Sequence, residues 1–179
     1  MSISHKKIKN AFIDWVVPHL LVKGFRGVFP NYRRYGERQI DIISLQFSIF
    51  DKAFCIGIAK CPVDGITYSN GERLPGDLVT ANHCPRRFML GTKDGDVSHW
   101  FKFEPTRHEL RDKQKFPALS MYGDSVLKYK KIADDVMELI ELEAETWWQS
   151  SEEWWHNEAP VYNKLFFDFQ KLVSKQLYV

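Results

Sequence analysis

At 179 residues, with 44% apolar and 27% charged side chains, the chain has the size of one domain and too ordinary a charge content for global disorder. No apolar run approaches the roughly 18–20 residues a membrane span requires, so a bilayer helix is not expected. The formal net charge of +2 hides two poles. Through Arg38, the cations Lys6, Lys7, Lys9, Lys23, Arg26, Arg33, Arg34 and Arg38 face only Asp14 and Glu37. Between Asp134 and Glu158 stand nine Asp or Glu with no Lys or Arg, beside four of the six tryptophans, Trp147-Trp148 and Trp154-Trp155.

In chain order, Ser4 is expected to cap a first helix. Ile8, Phe12, Trp15, Val16 and Leu20 follow helical spacing, and Gly24 closes it. Pro18 lacks a backbone donor and should kink that helix or shorten its last turn. Lys6 to Val22 imitates a signal peptide, but Asp14 breaks the apolar run and no small-residue cleavage site follows. Residues 27–35 read as one short strand with a turn at Gly36-Glu37. Residues 38–49 are the clearest strand, although the alternation slips between Ile42 and Ile43, which implies a bulge or burial of both faces.

Residues 53–60 return after a turn at 50–52. Phe54, Ile56 and Ile58 lie on one side, and the small Ala53, Cys55, Gly57 and Ala59 on the other, where a helix is expected to pack closely. Residues 61–85 form a long polar stretch that reads as either mobile or functional. Residues 86–93 and 99–103 suggest two strands around a turn at Asp94-Gly95, and 106–115 a charged, helical stretch. Asp124 or Ser125 should cap a helix to about Glu145, buried through Ile132, Val136 and Ile140. Pro160 fits the first turn of a last helix striped by Leu165, Phe166, Phe169, Leu172 and Val173. A helix, about five strands without interleaved helices, then two or more helices predict a single α+β domain over 1–179. Its sheet is antiparallel, with the helices packed on one face.

Several of these residues resemble a bacterial family known only as a domain of unknown function, number 4304. The resemblance rests on Pro18, Leu20, Gly24 and Phe25, then Phe29 or Tyr32 with Arg33, then Gln46 and Ser48, Phe54 to Ile58, and the landmarks Cys84, Arg87 and Trp100. It spans the first hundred residues or so and leaves the acidic window unaligned. It implies an α+β domain and brings no activity, ligand or catalytic residue with it.

Chemistry-bearing constellations are sparse. Cys55, Cys61 and Cys84 with His83 lack the short paired spacing of a zinc site, so neither metal nor cofactor is expected. Their odd number without framework spacing suggests reduced thiols and a cytoplasmic setting. Cys84 beside His83 is a weak nucleophile candidate, since neighbours on extended chain point to opposite faces. Asp41, Asp77 and Glu104 are carboxylates without a geometry, and no glycine pattern forms a phosphate loop.

Arg33-Arg34, Arg86-Arg87 and Lys128, Lys130, Lys131 lie near Tyr32, Tyr35, Phe88 and Tyr129, a pattern suited to nucleic acid. The near-balanced charge disfavours that use. The leading expectation is a non-catalytic, protein-binding module that engages a basic partner through Trp147, Trp148, Glu152, Glu153, Trp154 and Trp155, for example an immunity protein blocking a basic toxin. The opposing account buries those indoles where the helices join. The alternative function is an enzyme or ligand-binding domain with a pocket over the sheet lined by Gln46, Arg87 and Trp100. The sequence leaves the oligomeric state open.

Overall fold

The β-branched runs at residues 39–47 and 53–62 pair into the longest ladder of the chain, and the rest of the protein is built on them. The computed structural model describes residues 3–48, 52–84, 87–92, 99–104 and 126–150. Eight strands are described: β1 (Arg26–Val28), β2 (Asn31–Tyr35), β3 (Gln39–Phe47), β4 (Ala53–Pro62), β5 (Ile66–Thr67), β6 (Arg73–Leu74), β7 (Arg87–Met89) and β8 (Phe101–Lys102). The main sheet is antiparallel, in the order β1-β2-β3-β4-β7, with β8 also on β4, while β5 and β6 form a separate hairpin. The α+β expectation holds.

The ladder runs without interruption from Gln39↔Pro62 to Phe47↔Phe54. No bulge is needed at Ile42-Ile43, because both faces of the strand are buried. Tyr32, Ile43, Leu45, Phe54, Ile56 and Ile58 face the helices. Ile40, Ile42, Ala59 and Cys61 face a second layer.

That second layer corrects two expectations. It is a loop rather than a helix, and it is ordered. Residues 63–84 fold back over the sheet, where Ile66, Val79, Ala81 and Cys84 are buried. The expected space-saving face is real: a Cβ on Gly57 would lie 3.3 Å from Cβ of Ala81, in the 3₁₀ turn Ala81–His83. Gly65 has φ +93°, and a Cβ there would meet the Leu74 carbonyl oxygen, so only glycine fits comfortably.

The first helix comprises α1 (Ile3–Ala11), a π-helical turn (Phe12–Val16) and α2 (Val17–Val22). Ser4 already lies inside it. Pro18 does not end the helix. The Val17 N–H donates to the Phe12 carbonyl five residues back, and the chain re-enters α geometry with Pro18 in the first turn of α2, where a missing donor costs little. Ile8, Phe12, Val16 and Leu20 are buried as their spacing requires.

Three further readings change. Residues 27–35 are a hairpin rather than one strand, turning at the cis Phe29-Pro30 bond with Val28 opposite Asn31. β7 and β8 do not pair with each other; both line one edge of β4, at Gly57–Ala59 and at Ala53-Phe54. The late helix runs past Glu145, as α3 (Val126–Leu139), a second π turn (Ile140–Ala144) and α4 (Glu145–Gln149). Its buried stripe includes Val136 and Ile140, with Ile132 partly covered. The readings at 106–115, at Asp124-Ser125 and of a last helix after Pro160 lie outside the described residues.

Candidate functional site

Beyond the Ile43↔Ile58 pair, the helix side of the sheet changes from apolar to charged. The register places Arg34, Asp41 and Lys60 side by side across β2, β3 and β4. Both helices end at this rim. α1 and the first π turn pack along α3, and Lys23, just past α2, reaches Glu141 and Glu145, so the helices run parallel.

Arg34 is the hub. Its Nη1 and Nη2 donate to Glu145 Oε1 and Oε2 at 3.0 and 2.9 Å, and Nε donates to Asp41 Oδ2 at 3.0 Å. The guanidinium lies between the rings of Phe25 and Trp148, 4.8 and 5.2 Å from their centroids. Planar, fork-shaped donors satisfy two carboxylates and two aromatic faces at once, which an ammonium does not. Gln39 Nε2 donates to Asp41 Oδ1 at 2.6 Å and to the Trp148 carbonyl at 3.0 Å.

Burial raises the Asp41 carboxyl above its ordinary range despite the opposing pull of Arg34 and Gln39. Burial also works against Glu145, but hydrogen bonds and charge from Arg34, then Lys23, outweigh it and hold Glu145 below the usual value. Both carboxylates share one guanidinium; the deeper burial of Asp41 decides the difference in sign.

Lys60 is 1% exposed. Its Nζ donates to the Ser150 carbonyl at 2.6 Å, to Ser150 Oγ at 2.9 Å and to the Trp147 carbonyl at 3.4 Å, and lies 5.1 Å from the Trp147 ring centroid. A cation on the last carbonyls of a helix offsets the negative end of its dipole. With three oxygens around it, this side chain serves as a cap.

The acidic window is thereby redistributed. Among the described residues, five of its six carboxylates are engaged within the chain. Asp134 and Asp135 pair with Lys130 and Lys131, Glu141 with Lys23 and His19, and Glu145 with Arg34 and Lys23, while Glu143 accepts from the Gly91 N–H at 2.8 Å. Glu138 stands exposed. Trp148 is a correction to the partner-binding set: at 2% exposure it packs on Phe25 and donates from Nε1 to the Ala59 carbonyl at 3.0 Å. Trp147 is half-buried at the rim. Glu152, Glu153, Trp154 and Trp155 lie outside the described residues.

On the opposite face, Gln46, Arg87 and Trp100 share the loop side of the sheet, since each neighbours a residue that points to the helices. The structure does not gather them into one pocket. Arg87 is opposite Ala59 and Trp100 adjoins the Phe101↔Phe54 pair, a separation of about 13 Å at roughly 3.3 Å per residue. Trp100 and Arg87 are exposed and Gln46 is half-buried.

Cys55 is buried, and burial pushes its thiol up to about 12. Of the other nucleophile partners, His83 Nδ1 accepts from the Thr80 N–H at 2.9 Å in a capping box, and no group of three or more His, Cys, Asp or Glu suited to a metal occurs among the described residues. Sequence reasoning named Arg34 only within a basic cluster and missed Lys60, although the acidic window without cations of its own required counter-charges from elsewhere.

The fold and this rim define a class: an antiparallel sheet between a helix layer and an ordered loop layer, with helix ends fastened by Lys23, Arg34 and the buried Lys60. The family model described as Domain of unknown function (DUF4304) matches residues 16–150, and the chain belongs to that family. The match extends past the first hundred residues to include α3, α4 and the Trp147-Trp148 pair. No curated protein and no solved structure matches the chain. No helix among the described residues is long and apolar enough to cross a membrane.

Proposed function

We propose that this chain is a non-catalytic protein-binding module that meets a basic partner at the rim where α4 ends, through Trp147 and the residues Glu152, Glu153, Trp154 and Trp155. An immunity-type protein that blocks a basic toxin is its concrete form. One observation carries the reading. Lys60 fastens the helix end at Ser150 beside the half-buried Trp147 indole, and Glu152 and Glu153 follow two and three residues later in the sequence. Anchored aromatic residues beside charge are the usual composition of a contact that is both oriented and steered. The paired carboxylates Glu141 and Glu145 belong to the scaffold and drop out of the contact surface. Three buried free thiols fit a reducing, cytoplasmic setting.

The test is capture from native bacterial lysate by the tagged full chain and by a variant carrying Glu152→Lys, Glu153→Lys and Trp154→Ala. Loss of a basic protein from the variant supports the reading. Equal capture by both chains overturns it.

A second reading places a small ligand over the loop side of the sheet near Gln46 and Trp100. It is favoured by the exposure of an indole at the open end of that face. Quenching of Trp100 fluorescence, assigned by a Trp100→Phe variant, separates it from the first.

A further inference from the structure

Cys61 is the penultimate residue of β4, and Cys84 follows the 3₁₀ turn Ala81–His83. The 22 residues between them, 62–83, are the loop layer, so the two cysteines form its neck. Both side chains are buried, at 0% and 1% exposure, in the cluster that holds the layer on the sheet. Cys61 bears directly on the Cys84 thiol within that cluster, and Cys84 Sγ lies 3.6 Å from the Thr80 carbonyl oxygen.

The contact is held by its surroundings. The Ala81 N–H donates to Ser44 Oγ at 3.0 Å, Arg33 Nε to the Val79 carbonyl at 2.8 Å, and the Cys84 N–H to the Ala81 carbonyl at 3.2 Å. The third cysteine is out of reach. Cys55 shares the face of Cys61 but sits six residues back along β4, about 20 Å at roughly 3.3 Å per residue.

We propose that Cys61 and Cys84 are a redox-responsive clasp, converted by a low-molecular-weight disulfide such as oxidised glutathione into a bond that locks the loop layer onto the sheet. Two cysteines packed in one buried cluster at the two ends of the layer can reach the ~2.05 Å of a disulfide by a local rearrangement.

The chemistry balances in two exchanges. The deprotonated sulfur of one cysteine attacks the oxidant; the oxidant's S–S bond breaks, a mixed disulfide forms and one glutathione leaves as its thiol. The sulfur of the other cysteine then displaces the second glutathione, and the protein disulfide closes. The two protein thiols lose two electrons and two protons, and one glutathione disulfide becomes two thiols. The contact with Cys61 and burial hold the Cys84 thiol well above its usual range, against the pull of Arg87 and Arg33. The closed layer therefore protects the pair, and the first exchange requires the layer to open.

The test uses the full-length chain, reduced and then incubated with oxidised glutathione with and without sub-denaturing urea. It is followed by acid quench, alkylation and non-reducing peptide mapping. The expected result is a peptide pair joining Cys61 to Cys84, about two mass units lighter than its reduced parts. It should form faster in urea, with Cys55 alkylated only after full unfolding. The oxidised protein should melt several degrees higher and resist proteolysis within 63–83. A Cys61→Ser chain should instead retain glutathione on Cys84 and show no rise in melting temperature. Free Cys61 and Cys84 after oxidation in urea, or a bridge to Cys55, overturns the proposal, and the wild-type arm decides even if the variant fails to fold.

Discussion

Lys60 and Ser150, ninety residues apart in the chain, are joined by a 2.6 Å hydrogen bond from the buried ammonium to the backbone carbonyl. Replacing Lys60 by Met keeps the volume and removes the donor, leaving the Ser150 and Trp147 carbonyls without their cap. The expected cost is about 1–3 kcal/mol of stability. Amide hydrogen exchange should accelerate in Glu145–Gln149 while β3 and β4 stay protected. Unchanged exchange in α4 would show that Lys60 does not fasten the helix.

Arg34→Lys tests the fork geometry. A lysine restores the charge but cannot hold both Glu145 oxygens while reaching Asp41, nor lie flat between Phe25 and Trp148. A loss of about 2 kcal/mol is expected in urea denaturation. In a double-mutant cycle with Glu145→Gln, the two changes should be strongly sub-additive, because each removes the same bidentate contact.

The pH dependence follows from opposed carboxylates. Glu145 is held below the ordinary glutamate value of 4.5, so the stability it contributes is present above that value and is lost as pH falls through its lowered folded value. Asp41 is raised; its charged form is disfavoured by folding, and protonation relieves that cost as pH falls. Glu141 is also lowered, but its side chain is 45% exposed and water screens it. Urea midpoints measured from neutral to acid pH should therefore fall for the wild type, fall less for Glu145→Gln, and fall more steeply for Asp41→Asn.

Gly65→Ala places a methyl group against the Leu74 carbonyl at a backbone angle that alanine resists. The expected cost is about 1–3 kcal/mol. The loop layer should loosen first, so Cys84 should alkylate faster than in the wild type while Cys55 stays protected. Equal rates at the two cysteines would mean that the whole sheet opens instead.

The parts of the fold legible in the sequence are those written in short-range pattern. Ile8, Phe12, Val16 and Leu20 declare a helix face, and the two long strands declare themselves by isoleucines on both sides of β3 and by large residues alternating with small ones in β4. What the pattern lacks is distance. Nothing near Glu145 names Arg34 as its partner, and nothing near Trp148 names the Ala59 carbonyl; such pairs exist only after the sheet register is set. The same limit hid the hairpin at Phe29-Pro30, where two strands too short to alternate read as one. It also hid the ordered layer over Cys61, because glycine and proline spaced along residues 62–76 look alike in a free loop and in one pinned to a surface. Pro18 leaves the helix unended for a local reason, since a wider helical turn upstream accommodates its missing donor.

The parallel course of the two helices has a further consequence. Aligned peptide units in both point their negative poles toward the same rim, so the poles reinforce one another, and Lys23, Arg34 and Lys60 gather there from three separate stretches of chain. Lys23 and Arg34 from the first third of the chain and Glu141 and Glu145 from the late helix are thus halves of one weld. Part of what reads along the chain as polarity is, once folded, the glue between the first helix and the late one, and a truncation that spares every strand but removes either half would leave the other as a stranded charge.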